Sequence, residues 1–245
     1  MESKMTEKQK KNSGSQLTKK QHFHMRALLE RFVNSSQKVR VVRKPFGTTS
    51  FLGVRNQIFI GNRSWSQETE QAISWPIETA FLAEVTRVEA GEAIQNHEAV
   101  SQYHLLWTLR HHYATNPNED REMYPGMNCH MTEELEEWGD ANFKVPIRNG
   151  GMIAGRFATT LDIKELLVSP ENVAIYKGVF WRVIRSETDR FISSDQYRHQ
   201  LLVVINPYTL LQGGYEEESP YVAPPEEVGM YNKVAEKAAL NFTFG

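Results

Sequence analysis

The chain has a single cysteine, Cys129, so no disulfide can form within it. That scarcity fits a reducing compartment. No run approaches the roughly 18 apolar residues of a membrane-spanning helix. The first residues lack the hydrophobic segment of a secretory signal. A cytoplasmic protein with no membrane association is the expectation. An excess of positive charge is missing too: 28 Lys and Arg face 30 Asp and Glu, a net charge of −2. Residues 1–20 hold six Lys and two Glu, or +4, which leaves −6 on the remainder. A broad basic face for nucleic acid is therefore excluded on the body, although a local basic cleft is not. There is no Gly-x-Ser-x-Gly elbow, no Cys-x-x-Cys pair, no His-Glu-x-x-His and no internal repeat. These absences remove several familiar enzyme classes but not enzymes as such.

What is present is ordinary for a globular protein: 40% hydrophobic and 24% charged residues over 245 positions. Residues 1–18 are too polar to offset the entropy of ordering, and read as a disordered basic tail. Residues 19–245 read as one globular domain. Phe23, Leu28, Leu29 and Phe32 fall near helical spacing. Val39–Val42 is a β-branched run, and 51–60 reads as a further strand. Ser74-Trp75-Pro76 opens a helix with the stripe Ile77, Phe81, Val85 and Val88. Glu78 and Glu89 lie on one side of it, three turns or about 16 Å apart, too far for an acid/base pair.

A second helix over 97–114 carries His97, His104 and His111 at seven-residue spacing. Neighbours in that series are about 10.5 Å apart, so they read as structural or surface groups rather than ligands of one ion. Arg110, among apolar neighbours, needs a carboxylate or backbone carbonyls, and Glu78 or Glu89 on the preceding helix is placed to supply the former. A long loop covers 116–131 and contains Cys129 and His130, a weak metal signal. Thr132–Trp138 reads as a short acidic helix, 148–157 as a glycine-rich turn, and 157–167 as helical. The last helix starts near Pro225, with Glu226 and Glu227 at the positive end of its dipole.

The stretch 180–211 reads as two or three consecutive antiparallel strands, with Ser194 and Asp195 ending the second. The expected fold is α+β: a mainly helical domain packed on a small antiparallel sheet built from residues around 39–60 and 173–206.

These parts in this order resemble a large, mostly bacterial family, the domain of unknown function 4238 family. Its members open on a motif like His-His-Tyr-Val-Pro-x-Phe-x-Leu-x-x-Phe; His22, Phe23, Leu29 and Phe32 match, while Gln21 and Met25 replace a His and the Pro. Val88-Glu89 matches an Ile-Glu pair, and Arg110 an arginine on the next helix. Phe191 to Asp195 matches Phe-Ile-Thr-Ser-Asp, with Gln196 and Tyr197 in place of Asn-Pro. Val203 to Pro207 echoes a later strand, and Asn232 an asparagine of the last helix. The likeness spans about residues 19–242. It implies a bacterial protein and the fold, and carries no settled activity.

The matched polar residues His22, Glu89, Arg110, Ser194 and Asp195 form the candidate site. If they converge, His22 is a general base or metal ligand, and Asp195 a second ligand or the group orienting that imidazole. Glu89 is then a further carboxylate, and Arg110 holds a phosphate. That set, with a divalent metal as implied cofactor, suits phosphodiester hydrolysis: a nuclease-like toxin or phage-defence effector with nucleic acid as substrate. The competing reading is structural. Asp195 caps a turn, Glu89 and Arg110 pair in the interior, His22 is a core imidazole, and the chain is a non-enzymatic module for a protein or ligand partner.

Overall fold

The computed structural model describes residues 17–198 and 200–245. Apart from Leu17 and Thr18, the expected basic tail lies outside them. The fold is α+β, a single domain, as the sequence leads one to expect. Among the described residues no helix is long and apolar enough to cross a membrane.

The element at the centre is the helix α3 (His97–Thr115), following α1 (Arg26–Leu29) and α2 (Trp75–Glu89). Twelve of its nineteen residues are buried, on every side of the helix. A helix buried all round is surrounded by other elements rather than lying on one. Asn96 caps its start, its side chain accepting from the Ala99 N–H at 3.0 Å. The expected stripe of α2 packs against it: Phe81, Val85 and Val88 are buried, and the Phe81 ring stacks on Tyr103 at 4.0 Å. The remaining helices are α4 (Glu133–Ala141), α5 (Gly155–Val168), α6 (Pro170–Tyr176) and α7 (Pro225–Ala238).

The expected single sheet is two four-stranded sheets and two small ladders. In one, β2 (Val39–Arg43) pairs with β3 (Thr48–Leu52) on one side and β12 (Phe242–Phe244) on the other; β8 (Ser193–Ser194) adds to β12. In the other, the order is β11 (Tyr221–Val222), β7 (Phe180–Arg185), β10 (Thr209–Gly214) and β9 (Leu202–Asn206), with β11 parallel to β7. Residues 180–185 and 202–206 thus lie in a different sheet from 39–52, and 173–176 is helical. The stretch 180–211 divides between them. β7 skips its neighbour in sequence and pairs with β10. Leu202, Val203, Val204 and Ile205 are all buried, so β9 is covered on both faces.

The expected helical start at 19–32 is mostly not helix. β1 (Lys20–His22) pairs with β4 (Ile60–Asn62), and only four residues of α-helix and a 3₁₀ turn follow. β5 (Arg121–Glu122) and β6 (Met152–Ile153) close the long loop into a ladder. Here Gly151 is needed: its φ is +75°, and a Cβ would sit 1.7 Å from the Tyr124 carbonyl oxygen.

Candidate functional site

The five sequence-predicted residues do not share one open hollow. Asp195 is 0% exposed. One carboxylate oxygen accepts from the Leu240 N–H at 2.9 Å, the other from the Asn241 N–H at 2.7 Å. Its own N–H donates to the Phe242 carbonyl, and His111 Nε2 lies 3.4 Å from Oδ2. Ser194 donates to the Gln196 carbonyl at 2.6 Å. Together they fasten the link between α7 and β12 to the loop after β8. The cap inferred from sequence exists, but it closes a segment 45 residues away rather than the turn after its own strand.

Glu89 sits at the end of α2 and takes the Arg31 guanidinium in a two-pronged bridge of 2.7 and 2.9 Å. Its hydrogen bonds from Arg31 hold its carboxyl below the usual range. The Glu89–Arg110 pair does not form. Arg110, 3% exposed, instead donates to Glu78 Oε1 at 2.6 Å.

Around Arg110 lies a polar cluster that sequence reasoning only half anticipated. Its guanidinium lies 5.3 Å from the Trp65 ring centroid. The Trp65 indole N–H donates to Glu70 Oε1 at 2.5 Å. Burial pushes the Glu70 carboxyl up, with Arg110 and Trp65 opposing. Burial would lower the Arg110 pKa, but Glu78 and Glu70 outweigh it and hold the guanidinium firmly charged. Glu70 was invisible in the sequence because Thr69–Ser74 is a π-helix, whose wider turn breaks the 3.6-residue pattern. Gln21, noted as a departure from the family motif, is a buried anchor: its amide donates to the Trp65 carbonyl at 2.8 Å and accepts the Trp65 N–H at 3.2 Å.

His22 is half-buried, not a core imidazole. Its Nε2 is 2.9 Å from the Val54 carbonyl, which can only accept, so Nε2 carries the hydrogen and Nδ1 is left basic. Burial lowers its pKa, and Arg110 lowers it further. His24, two residues on, is the true core histidine. It packs edgewise on Trp107 at 4.5 Å and on Phe244 at 5.2 Å, and burial drives its pKa down to about 3.

The seven-spaced histidines have separate partners: His97 accepts from the Trp181 N–H, His104 sits between the Tyr176 hydroxyl and the Gln200 carbonyl, and His111 faces Asp195. Among the described residues no group of three or more His, Cys, Asp or Glu is placed to hold a metal ion. His22 and Asp195 are committed to Val54 and to the Leu240–Asn241 backbone. Cys129 and His130 line a cavity of about 560 Å³ beside Arg63, Arg148 and Arg156. These three arginines are paired with Glu136, Glu137, Asp140 and Asp120.

Those pairings turn α4 inside out. Glu136 and Asp140, four residues apart, point inward to the arginines and are buried. Leu135 and Trp138, three residues apart, point outward, and Trp138 is 52% exposed. Met123, Tyr124, Met127, Phe143 and Val145 are exposed in the same segment. No family model, no characterised protein and no solved structure matches the chain.

Proposed function

We propose that the chain is a non-enzymatic binding module that receives a protein partner on the outward face of α4 and the flanking stretch 123–145. The observation that carries this reading is the polarity of α4, with carboxylates inside and Leu135 and Trp138 in solvent. A soluble helix ordinarily does the reverse, and a concentrated exposed apolar patch marks an interaction surface. Trp, Tyr and Met are the side chains that interfaces favour. The charge of −6 beyond residue 20 favours a protein partner over bulk nucleic acid. The commitments of Asp195, Ser194 and Glu89 to holding the fold support a module over an enzyme.

The test is binding of the purified chain to an immobilised peptide array, beside the double variant Leu135→Ser/Trp138→Ser. A discrete set of bound peptides, lost in the variant at unchanged Tm, is expected. Sequence-indifferent binding, or binding that survives the double substitution, overturns the reading.

A second reading keeps one observation in its favour. His22 offers a basic Nδ1 within the electrostatic reach of Arg110, a general base in the field of a cation. Phosphodiester hydrolysis by a nuclease-like toxin or phage-defence effector belongs to this reading. So do a divalent metal at His22, a bacterial and cytoplasmic setting, and kinship with the domain of unknown function 4238 family. Cleavage of nucleic acid with Mg²⁺ or Mn²⁺, present in the wild type and absent in His22→Ala, would decide for it.

A further inference from the structure

The half-buried cluster around Arg110 leaves one carboxylate without a cation in contact. Glu70 and Glu78 act on each other electrostatically, and both act on Arg110. Glu78 holds the Arg110 guanidinium at 2.6 Å, whereas among the described residues the Glu70 carboxylate is bonded by the Trp65 indole N–H and by no cation. Uncompensated charge away from bulk water is costly, and a cation relieves it. Glu70 opens on a cavity of about 550 Å³ lined also by Thr18, Gln67, Gln71, Trp75 and Phe143. The π-helix explains the assembly. The Trp75 N–H caps it by donating to the Glu70 carbonyl, so the carboxylate and the indole lie one wide turn apart. Single π turns recur at functional sites. Trp75 is 67% exposed and Phe143 42%, so both rings are accessible from solvent. Two aromatic rings beside a carboxylate form a recognition set for an organic cation. Phe143 lies two residues beyond the end of α4, within the 123–145 stretch of the proposed face.

We propose that the cavity formed by Glu70, Trp75 and Phe143 receives a lysine or arginine side chain of the partner protein. The proposal rests on the reading of the chain as a binding module and specifies what the partner presents. The charge of −6 on the body attracts such a segment at long range.

The experiment is an NMR titration of the full chain, following the indole N–H signals, with N-acetyl-lysine methylamide, N-acetyl-arginine methylamide and the uncharged N-acetyl-norleucine methylamide. The Trp75 signal is assigned by its loss in Trp75→Ala. Saturable shifts with the two cationic amides, and none with the norleucine amide, are expected. Trp75→Ala, at an exposed position that leaves the fold intact, weakens binding about fivefold. Glu70→Gln keeps the acceptor for Trp65 and weakens it about tenfold or more. Equal response to norleucine, no saturation by any amide, or unchanged binding in both variants overturns the proposal. If array binding through Leu135 and Trp138 persists in that event, only the cation site falls; if that is absent as well, the module reading falls with it.

Discussion

Replacing Asp195 with asparagine separates a clasp from a catalytic group. The side chain is fully buried, and its two oxygens accept the Leu240 and Asn241 N–H groups at 2.9 and 2.7 Å. Asparagine has the same shape but only one acceptor. Its NH₂ must face one of the two backbone donors, so a charge-assisted bond is lost and a buried N–H is left unpaired. Each such loss is worth about 1.5–3 kcal/mol, and about 3 kcal/mol is the expected total. For a domain of this size that corresponds to a fall in Tm of about 6–12 °C. Ser194→Ala removes a neutral hydroxyl that donates to the Gln196 carbonyl at 2.6 Å and accepts the Gln196 N–H at a longer 3.3 Å, and should cost about 1 kcal/mol, less than the aspartate substitution. Urea unfolding followed by tryptophan fluorescence and a thermal scan by circular dichroism give both numbers. An Asp195→Asn protein that melts within about 1 °C of wild type would refute the clasp.

Arg110→Met leaves Glu70 and Glu78 without their shared counter-charge; about 3 kcal/mol should be lost in urea unfolding at pH 7, and a stabilised variant would show that the cluster is dispensable. His24 and His104 are held neutral, with pKa values pushed down to about 3 and about 4, while the unfolded chain binds protons near 6.5. The unfolded state therefore binds more protons below 6.5, and stability falls as the pH drops through that window. His24→Phe should flatten the slope of unfolding free energy between pH 6 and 4 by about 1.4 kcal/mol per pH unit, and an unchanged slope would contradict the assignment. Gly151→Ala should break the approach to Tyr124 and lower Tm, seen together with faster amide exchange across 121–124 and 150–153; unaltered exchange there would speak against the ladder.

Much of the helical layout was legible because it rests on local chemistry. The stripe of α2, the Thr132 cap of α4 and the start of α7 at Pro225 are each written within one or two turns. The sheets were less legible, since β8 finds β12 and β7 finds β10 across long separations that no local pattern encodes. Among the site residues, the need of Arg110 for a carboxylate followed from burial. The choice of Glu78 over Glu89 depended on Arg31, which arrives from a different element to claim Glu89. Glu70 went unnoticed because the π turn shifts its phase, and Trp65 because it sits in a bend outside any helix or strand. The inverted face of α4 was hidden for a related reason: its acidic residues look solvent-facing until Arg148 and Arg156, from beyond the helix, cover them.

The most direct trial of this division between holding and binding sets Trp138→Ser beside Asp195→Asn. Affinity for an array-selected peptide is measured well below the melting transition, together with Tm. The expected pattern is crossed: Trp138→Ser loses the peptide and keeps its Tm, whereas Asp195→Asn keeps the peptide and loses about 6–12 °C. Peptide binding abolished by Asp195→Asn at unchanged Tm, with Trp138→Ser indistinguishable from wild type, would contradict it.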